Sequence, residues 1–151
     1  MQKVELLAPA GNLEKLQIAV TYGADAVYLG GKEYGLRAAA GNFTLEEMKA
    51  GVDFAHAHQA KVYVTVNIFA HNVDLEQLAD YLYNLEKIGI DAIIISDPGV
   101  WLIAQEINSG LDIHISTQAN VTNWASCAFW EQHGAKGLSW PGNCPWRKSR
   151  R

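Results

Sequence analysis

Cysteine is nearly missing from this chain: two residues in 151, Cys127 and Cys144. Neither stands in a CxxC pair, so a disulfide framework and a thiolate zinc site are both excluded. Two reduced thiols with no metal role are expected. Long apolar runs are also absent: none reaches the roughly 18 residues a membrane-spanning helix needs. Met1 is not followed by a basic, apolar, small-residue leader, and the expected location is cytoplasmic, with no membrane partner. GxGxxG, a P-loop and HExxH do not occur, which removes the motif-borne arguments for dinucleotides, nucleotides and zinc hydrolysis. Basic residues are scarce where they would matter. Residues 1–136 hold all 16 acids and only 8 of the 12 bases. So acidic a body gives no electrostatic footprint for a nucleic-acid backbone, and a nucleic-acid partner is not expected.

What is present is a β/α alternation. An apolar share of 49% with 19% charged residues is that of a globular domain. Short apolar runs at 4–8, 26–29, 62–68, 92–96 and 113–117 read as strands covered on both faces. Helical patterns lie between them. Asn12 is placed to cap the first, and Thr44-Leu45-Glu46-Glu47 opens another as a capping box. Leu75, Leu78, Leu82 and Leu85 form one stripe that Gly89 ends, and Pro98 suits the first turn of a further helix. A unit repeats: Gly23-Ala24-Asp25-Ala26-Val27-Tyr28-Leu29 returns as Gly89-Ile90-Asp91-Ala92-Ile93-Ile94-Ile95, and a third copy starts at Gly134-Ala135-Lys136. The pattern predicts parallel strands with right-handed crossovers. With no dinucleotide or phosphate fingerprint, a doubly wound sheet is disfavoured. The expected fold is the N-terminal portion, about five βα units, of a TIM-like (β/α) barrel.

Parallel α/β folds bind ligands at the carboxyl ends of their strands. Those ends read Pro9-Ala10-Gly11, Gly30-Gly31, Asn67, Asp97-Pro98-Gly99 and Thr117-Gln118-Ala119-Asn120. Asn67, Gln118 and Asn120 supply amides to orient a polar ligand. Asp97 is the one carboxylate at a strand end, a candidate catalytic base or cation ligand, with helix capping as the competing role. Arg37, in a glycine-rich loop, suits a carboxylate or phosphate. His56 and His58 sit near a helix end, His71 in the loop after the third strand, and His114 inside the fifth strand as a core histidine. None of them makes a Ser-His-Asp or Cys-His pairing, and no metal ligands are assigned. Trp101, Trp124, Phe129 and Trp130 fall on helical stretches and are expected to pack.

Glu5-Leu6-Leu7-Ala8-Pro9-Ala10-Gly11-Asn12, Leu36-Arg37-Ala38, Val64-Thr65-Val66-Asn67, Ser96-Asp97-Pro98-Gly99 and Ser116-Thr117-Gln118-Ala119-Asn120 resemble, in order and spacing, the N-terminal region of peptidase family U32, the collagenase-like proteases. The resemblance implies an N-terminal fragment of a peptidase, inactive alone, acting on a peptide or small polar substrate. A second branch of the family implies an iron–sulfur-dependent hydroxylase of RNA or of a quinone precursor. The cluster-ligating cysteines of that branch lie beyond the matching region. A cluster needs about four thiolates, so no cofactor is expected in this chain itself. Two readings compete with the enzyme fragment. One is a βα module in which Arg37, Asn67 and Asp97 hold an anionic metabolite. The other is a non-catalytic protein that completes a partner's barrel.

After Lys136 the repeat calls for a buried strand, but residues 137–151 hold two Pro, two Trp and four bases without periodicity. Read two bases later, degenerate codons for residues 137–149 can spell xVLARELSLEEI, an apolar strand followed by a capping box. It is similar to what the family carries at that point. The expectation is a frameshift near the Lys136 codon, a partial barrel over 1–136 and an out-of-frame, unstructured tail over 137–151. Exposed first and fifth strand edges then favour self-association.

Overall fold

A computed structural model describes residues 5–35, 42–107 and 110–139. Strands and helices alternate as β1 (Leu7–Pro9), α1 (Leu13–Thr21), β2 (Ala26–Gly30), α2 (Leu45–Ala57), β3 (Lys61–Val66), α3 (Asn72–Leu75), α4 (Leu78–Ile88), β4 (Ala92–Ile95), α5 (Pro98–Glu106), β5 (Asp112–Ile115), α6 (Trp124–Gln132) and β6 (Gly137–Leu138). A 3-10 turn, Thr117–Ala119, follows β5. All strands are parallel and lie in chain order, β1-β2-β3-β4-β5-β6. This is the partial TIM-like barrel that the βα periodicity implies.

Local chemistry explains the helix boundaries. Asn12 Oδ1 accepts the Lys15 N–H at 2.9 Å and opens α1. Glu47 accepts the Thr44 N–H at 2.8 Å while Thr44 Oγ1 accepts the Glu47 N–H at 3.1 Å, the reciprocal pair that satisfies two orphan donors of α2. The leucine stripe is divided between two helices. The His71 N–H bonds to Asp74 Oδ2 at 2.8 Å and closes the short α3, which ends at Leu75, while Leu78, Leu82 and Leu85 are buried on α4.

The repeated Gly-x-Asp has a structural meaning. Gly23, Gly89 and Gly134 all have φ between 90° and 99°, the left-handed turn that ends a helix and feeds the next strand. In the first two copies the aspartate then ties down the neighbouring strand: Asp25 Oδ2 accepts the Leu6 N–H at 2.9 Å and Asp91 Oδ2 the Val62 N–H at 2.7 Å. His56 Nε2 lies 3.0 Å from the same Asp91 oxygen, which accounts for one histidine without a metal.

Side chains alternate across the sheet. Val27, Val64, Ile93 and Ile115 face the helices in the main core, whereas Ala26, Tyr63, Ala92 and Ile94 form a separate cluster on the inner face. The expected strand count is revised from five to six. Lys136 N–H donates to Ile113 O at 2.9 Å and Ser139 N–H to Ile115 O at 2.7 Å, so the third repeat enters the sheet. Glycine is required there: a Cβ on Gly137 would lie 2.8 Å from the His114 ring. Packing by the aromatics holds for Trp101 and Trp130, edge-to-face at 5.7 Å, and for the half-exposed Phe129, edge-on to Trp130 at 5.3 Å, but not for the exposed Trp124. Among the described residues no helix is long and apolar enough to cross a membrane.

Leu82 is fully buried on α4 within the main core. Leu82→Ala is expected to cost about 2–5 kcal/mol, and Thr44→Ala about 1 kcal/mol. Urea titration of each variant followed by circular dichroism checks the ranking.

Candidate functional site

The carboxyl ends of the strands surround a cleft of about 580 Å³ on the concave inner face. This volume is within the range of small-molecule sites. Tyr28, Thr65 and Ile94 contribute from the strands, Lys15 from α1, and Asn42, Asn67 and Gln118 from the loops. Although the chain is acidic overall, the described lining holds no carboxylate, and its one cation is Lys15. Such a surface favours a neutral or electron-rich ligand over a cation.

Asn67 and Gln118, far apart in sequence, meet here. Asn67 Nδ2 donates to Gln118 Oε1 at 2.8 Å, linking the end of β3 to the turn after β5 across the mouth of β4. Sharing its carbonyl in this way fixes the Gln118 amide and leaves that amide's N–H donors for other acceptors. Asn67 is held from behind as well, its backbone N–H donating to Tyr34 O at 2.9 Å. Asn42 forms another wall. Its Nδ2 is buried without a hydrogen-bond partner among the described residues. An unmet buried donor costs roughly 1–3 kcal/mol, which an acceptor atom on a ligand would offset.

Gly30-Gly31 serves packing. A Cβ on Gly30 would press on Thr65 Oγ1 at 3.3 Å and Asn42 Oδ1 at 3.4 Å, and one on Gly31 would collide with the Tyr81 hydroxyl. Removing the first Cβ lets two polar side chains reach the cleft wall.

Not every predicted site residue enters the cleft. Asp97 caps α5, its Oδ1 accepting the Gly99 N–H at 2.7 Å and the Val100 N–H at 3.0 Å. It is not one of the cleft-lining residues. Asn120 is exposed in the left-handed region at φ 52°, where it ends the 3-10 turn. This is a conformation asparagine tolerates better than most residues. Arg37 lies outside the described residues, as does Cys144. His71 precedes α3 and the His58 Nδ1–H donates to Phe54 O at 2.8 Å; neither lines the cleft. Tyr28, Thr65, Asn42 and Lys15 escaped the reading of strand ends. The first two are legible as inward positions of the strand alternation, whereas Asn42 and Lys15 come near only through tertiary folding.

Below the cleft floor lies a polar layer. The Tyr63 hydroxyl donates to Glu5, 2.9 Å from each carboxylate oxygen, with Lys61 Nζ 4.0 Å from the same group. Burial, reinforced by Glu5, holds the Tyr63 hydroxyl well above the ordinary tyrosine range. His114 packs edge-on to Tyr63 at 4.7 Å, and burial pushes its pKa down despite Asp112 and Glu5.

The profile described as Peptidase family U32 matches residues 11–140. The chain belongs to this family. Among curated members, "tRNA hydroxylation protein P1" of Bacillus subtilis is 51% identical over 88% of this chain and 32% of its own length. "tRNA hydroxylation protein P" of Escherichia coli is 44% identical over 89% of the chain and 30% of its own length. A "Collagenase" of Porphyromonas gingivalis is 34% identical over 85% of the chain and 31% of its own length. This U32 chain thus spans about a third of the curated relatives it matches. A solved U32 peptidase superposes with a TM-score of 0.72 at 16% identity, over 93% of this chain and 60% of that one, which speaks for the fold alone. The expectation of a peptidase fragment is overturned: the relatives of highest identity among these carry tRNA hydroxylation names, and the collagenase is more distant.

Capping and chemistry at Asp97 separate cleanly. Asp97→Asn keeps an N-cap acceptor and is expected to leave stability within a few tenths of a kcal/mol, whereas Asp97→Ala costs about 1 kcal/mol. Thermal unfolding of both variants reads the difference. The depressed His114 pKa gives a pH signature. Below about pH 6.5 the unfolded chain binds a proton at this position that the folded chain refuses. His114 therefore makes stability fall as pH drops through that window, and the urea midpoint of His114→Phe should fall less steeply there than that of the parent.

Proposed function

We propose that this chain is the N-terminal βα segment of a protein that supports hydroxylation of tRNA, and that it supplies the ligand cleft of that protein. The observation that carries the reading is the 44–51% identity to tRNA hydroxylation proteins of Escherichia coli and Bacillus subtilis over nearly nine-tenths of the chain. The cleft agrees with a binding and orienting role. Its amides and hydroxyls suit a polar ligand of fixed orientation, Tyr28 offers an aromatic wall, and Lys15 stands at the mouth for an anionic group. The acidic body provides no basic stripe for a phosphate backbone. Contacts to the RNA backbone therefore belong to the part of the full-length protein that this chain does not span.

The chain's own residues do not fit an iron–sulfur cluster. With two cysteines in all, of which Cys127 sits on α6, they fall short of the roughly four thiolates a cluster takes. Among the described residues no three His, Cys, Asp or Glu side chains group as metal ligands. Redox chemistry is accordingly assigned to no residue here. Asn67, Gln118, Asn42 and Thr65 bind and orient. We further propose that a base is lost near the Lys136 codon and that residues 137–151 are read out of frame. Sequencing the encoding DNA across the Lys136 codon tests this, and an unchanged frame in close relatives would refute it.

A graft tests the functional reading. Residues 11–138 replace the matching segment of the Bacillus subtilis protein, and the chimera is expressed in a strain lacking tRNA hydroxylation proteins. Hydroxylated nucleoside, measured by mass spectrometry of digested tRNA, is expected to return. Asn67→Ala with Gln118→Ala in the graft should lower it at least tenfold. A soluble chimera that leaves the tRNA unhydroxylated sinks the proposal.

A further inference from the structure

A second cavity, of about 210 Å³, shares no lining residue with the cleft. The segments after β2 and before α2 separate the two. Gly30 and Asn42 line the cleft, whereas their neighbours Gly31 and Phe43, joined by a parallel β-bridge, line the second cavity. The start of α2 adds Leu45 and Met48, and α4 adds Tyr81. At roughly 30 Å³ per water, this space holds about seven waters. It is smaller than most ligand sites, so its occupant is a single ring or a short chain.

Tyr81 is 6% exposed, and its hydroxyl has no hydrogen-bond partner among the described residues. The hydroxyl points at Gly31, where a Cβ would collide with it and would also lie 2.9 Å from Met48 Cε. Its ring packs on Tyr34 at 4.8 Å between centroids, which fixes the direction of the hydroxyl. Burial, reinforced by Glu33, holds this hydroxyl well above the ordinary tyrosine range, so it stays a protonated donor. An acceptor stands beside it, because Glu33 O lies 3.3 Å from the same Cβ position. A donor and an acceptor on one wall match a group that carries both, as a carboxamide does. Charge argues against an anion. The Glu33 side chain belongs to the lining, and the N-terminus of α2 is already answered by the Glu47 carboxylate, which leaves Lys32 as the one cation in the lining.

We propose that this cavity is a second binding site, for a small neutral carboxamide carried on an apolar ring. The carbonyl of the ligand accepts from the Tyr81 hydroxyl, and its N–H donates to Glu33 O. Phe43, Leu45 and Met48 enclose the ring. Gly31 is what makes the site, since any side chain there would fill the place of the amide. A buried donor left unmet is costly, and the ligand carbonyl removes that cost. The site stands independently of the hydroxylation reading.

The test is methyl NMR on the full chain labelled with carbon-13 at its methionine methyls. Met1 and Met48 are the two methionines, and Met48 lines the cavity. Benzamide is expected to shift the Met48 signal saturably and to leave the Met1 signal in place. Benzoate, of the same shape but charged, should need at least tenfold more. Tyr81→Phe keeps the ring and deletes the donor, so benzamide should bind about tenfold more weakly. The urea midpoint of this variant should equal or exceed that of the parent, because an unpaired buried hydroxyl is gone. A Met48 signal that does not move, equal binding of benzoate, or parent-like binding of benzamide by Tyr81→Phe each overturns the proposal. So does a lower urea midpoint for Tyr81→Phe, which would mean that the hydroxyl is paired within the chain.

Discussion

The parallel hydrogen-bond ladder running from β1 to β6 in chain order is the constraint on which the rest of this molecule depends. Parallel strands joined by helical crossovers put every carboxyl end on one rim. Residues as distant as Asn67 and Gln118 become neighbours for that reason alone. The ladder also sorts side chains. Outward positions on β2 to β5 are Val, Leu and Ile buried against helices, while inward positions are mostly small or polar. An all-apolar inner face would have filled the space that the cleft occupies.

Registration of the ladder is secured at the amino ends of the strands by a device the repeat encodes. A left-handed glycine ends the helix, and two residues later an aspartate accepts the first free N–H of the neighbouring strand. A buried or half-buried carboxylate accepting backbone N–H groups is a charge-assisted bond, stronger than its neutral counterpart. In the third copy lysine replaces aspartate, and Lys136 keeps the backbone bond that all three copies share, its N–H donating to Ile113 O as those of Asp25 and Asp91 do to Leu6 O and Val62 O. The carboxyl rim is left free for ligand because the carboxylates that fix the strands sit at the opposite end. Stability and ligand binding are thereby separated, as is usual for this architecture.

Assignment to the U32 family and the identities to tRNA hydroxylation proteins bear on different levels. The family match and the superposed U32 structure concern the fold. The identities near one half, over most of this chain, concern the branch. The segments at 5–12, 64–67, 96–99 and 116–120 do not by themselves say which branch of the family applies. Such segments mostly build strand ends and caps, as Asp97 shows by holding two N–H groups of α5. Shared architecture carries little information about reaction type.

By itself the sequence determined the local and periodic features. The βα order, the Asn12 cap, the Thr44–Glu47 box, the Gly89 stop and the Pro98 start each depend on interactions within a few residues, so residue type and spacing suffice. The cleft-facing amides Asn67 and Gln118 were legible too, because strand ends are readable once the strands are. Tertiary structure decided what depends on approach between distant segments. It placed Asn42 beside Thr65 by way of Gly30, drew Lys15 to the cleft, gave Asp97 to its helix, and admitted Gly137 to a sixth strand because only a residue without a Cβ fits against His114. Those contacts are set by packing in three dimensions, and no one-dimensional spacing encodes them.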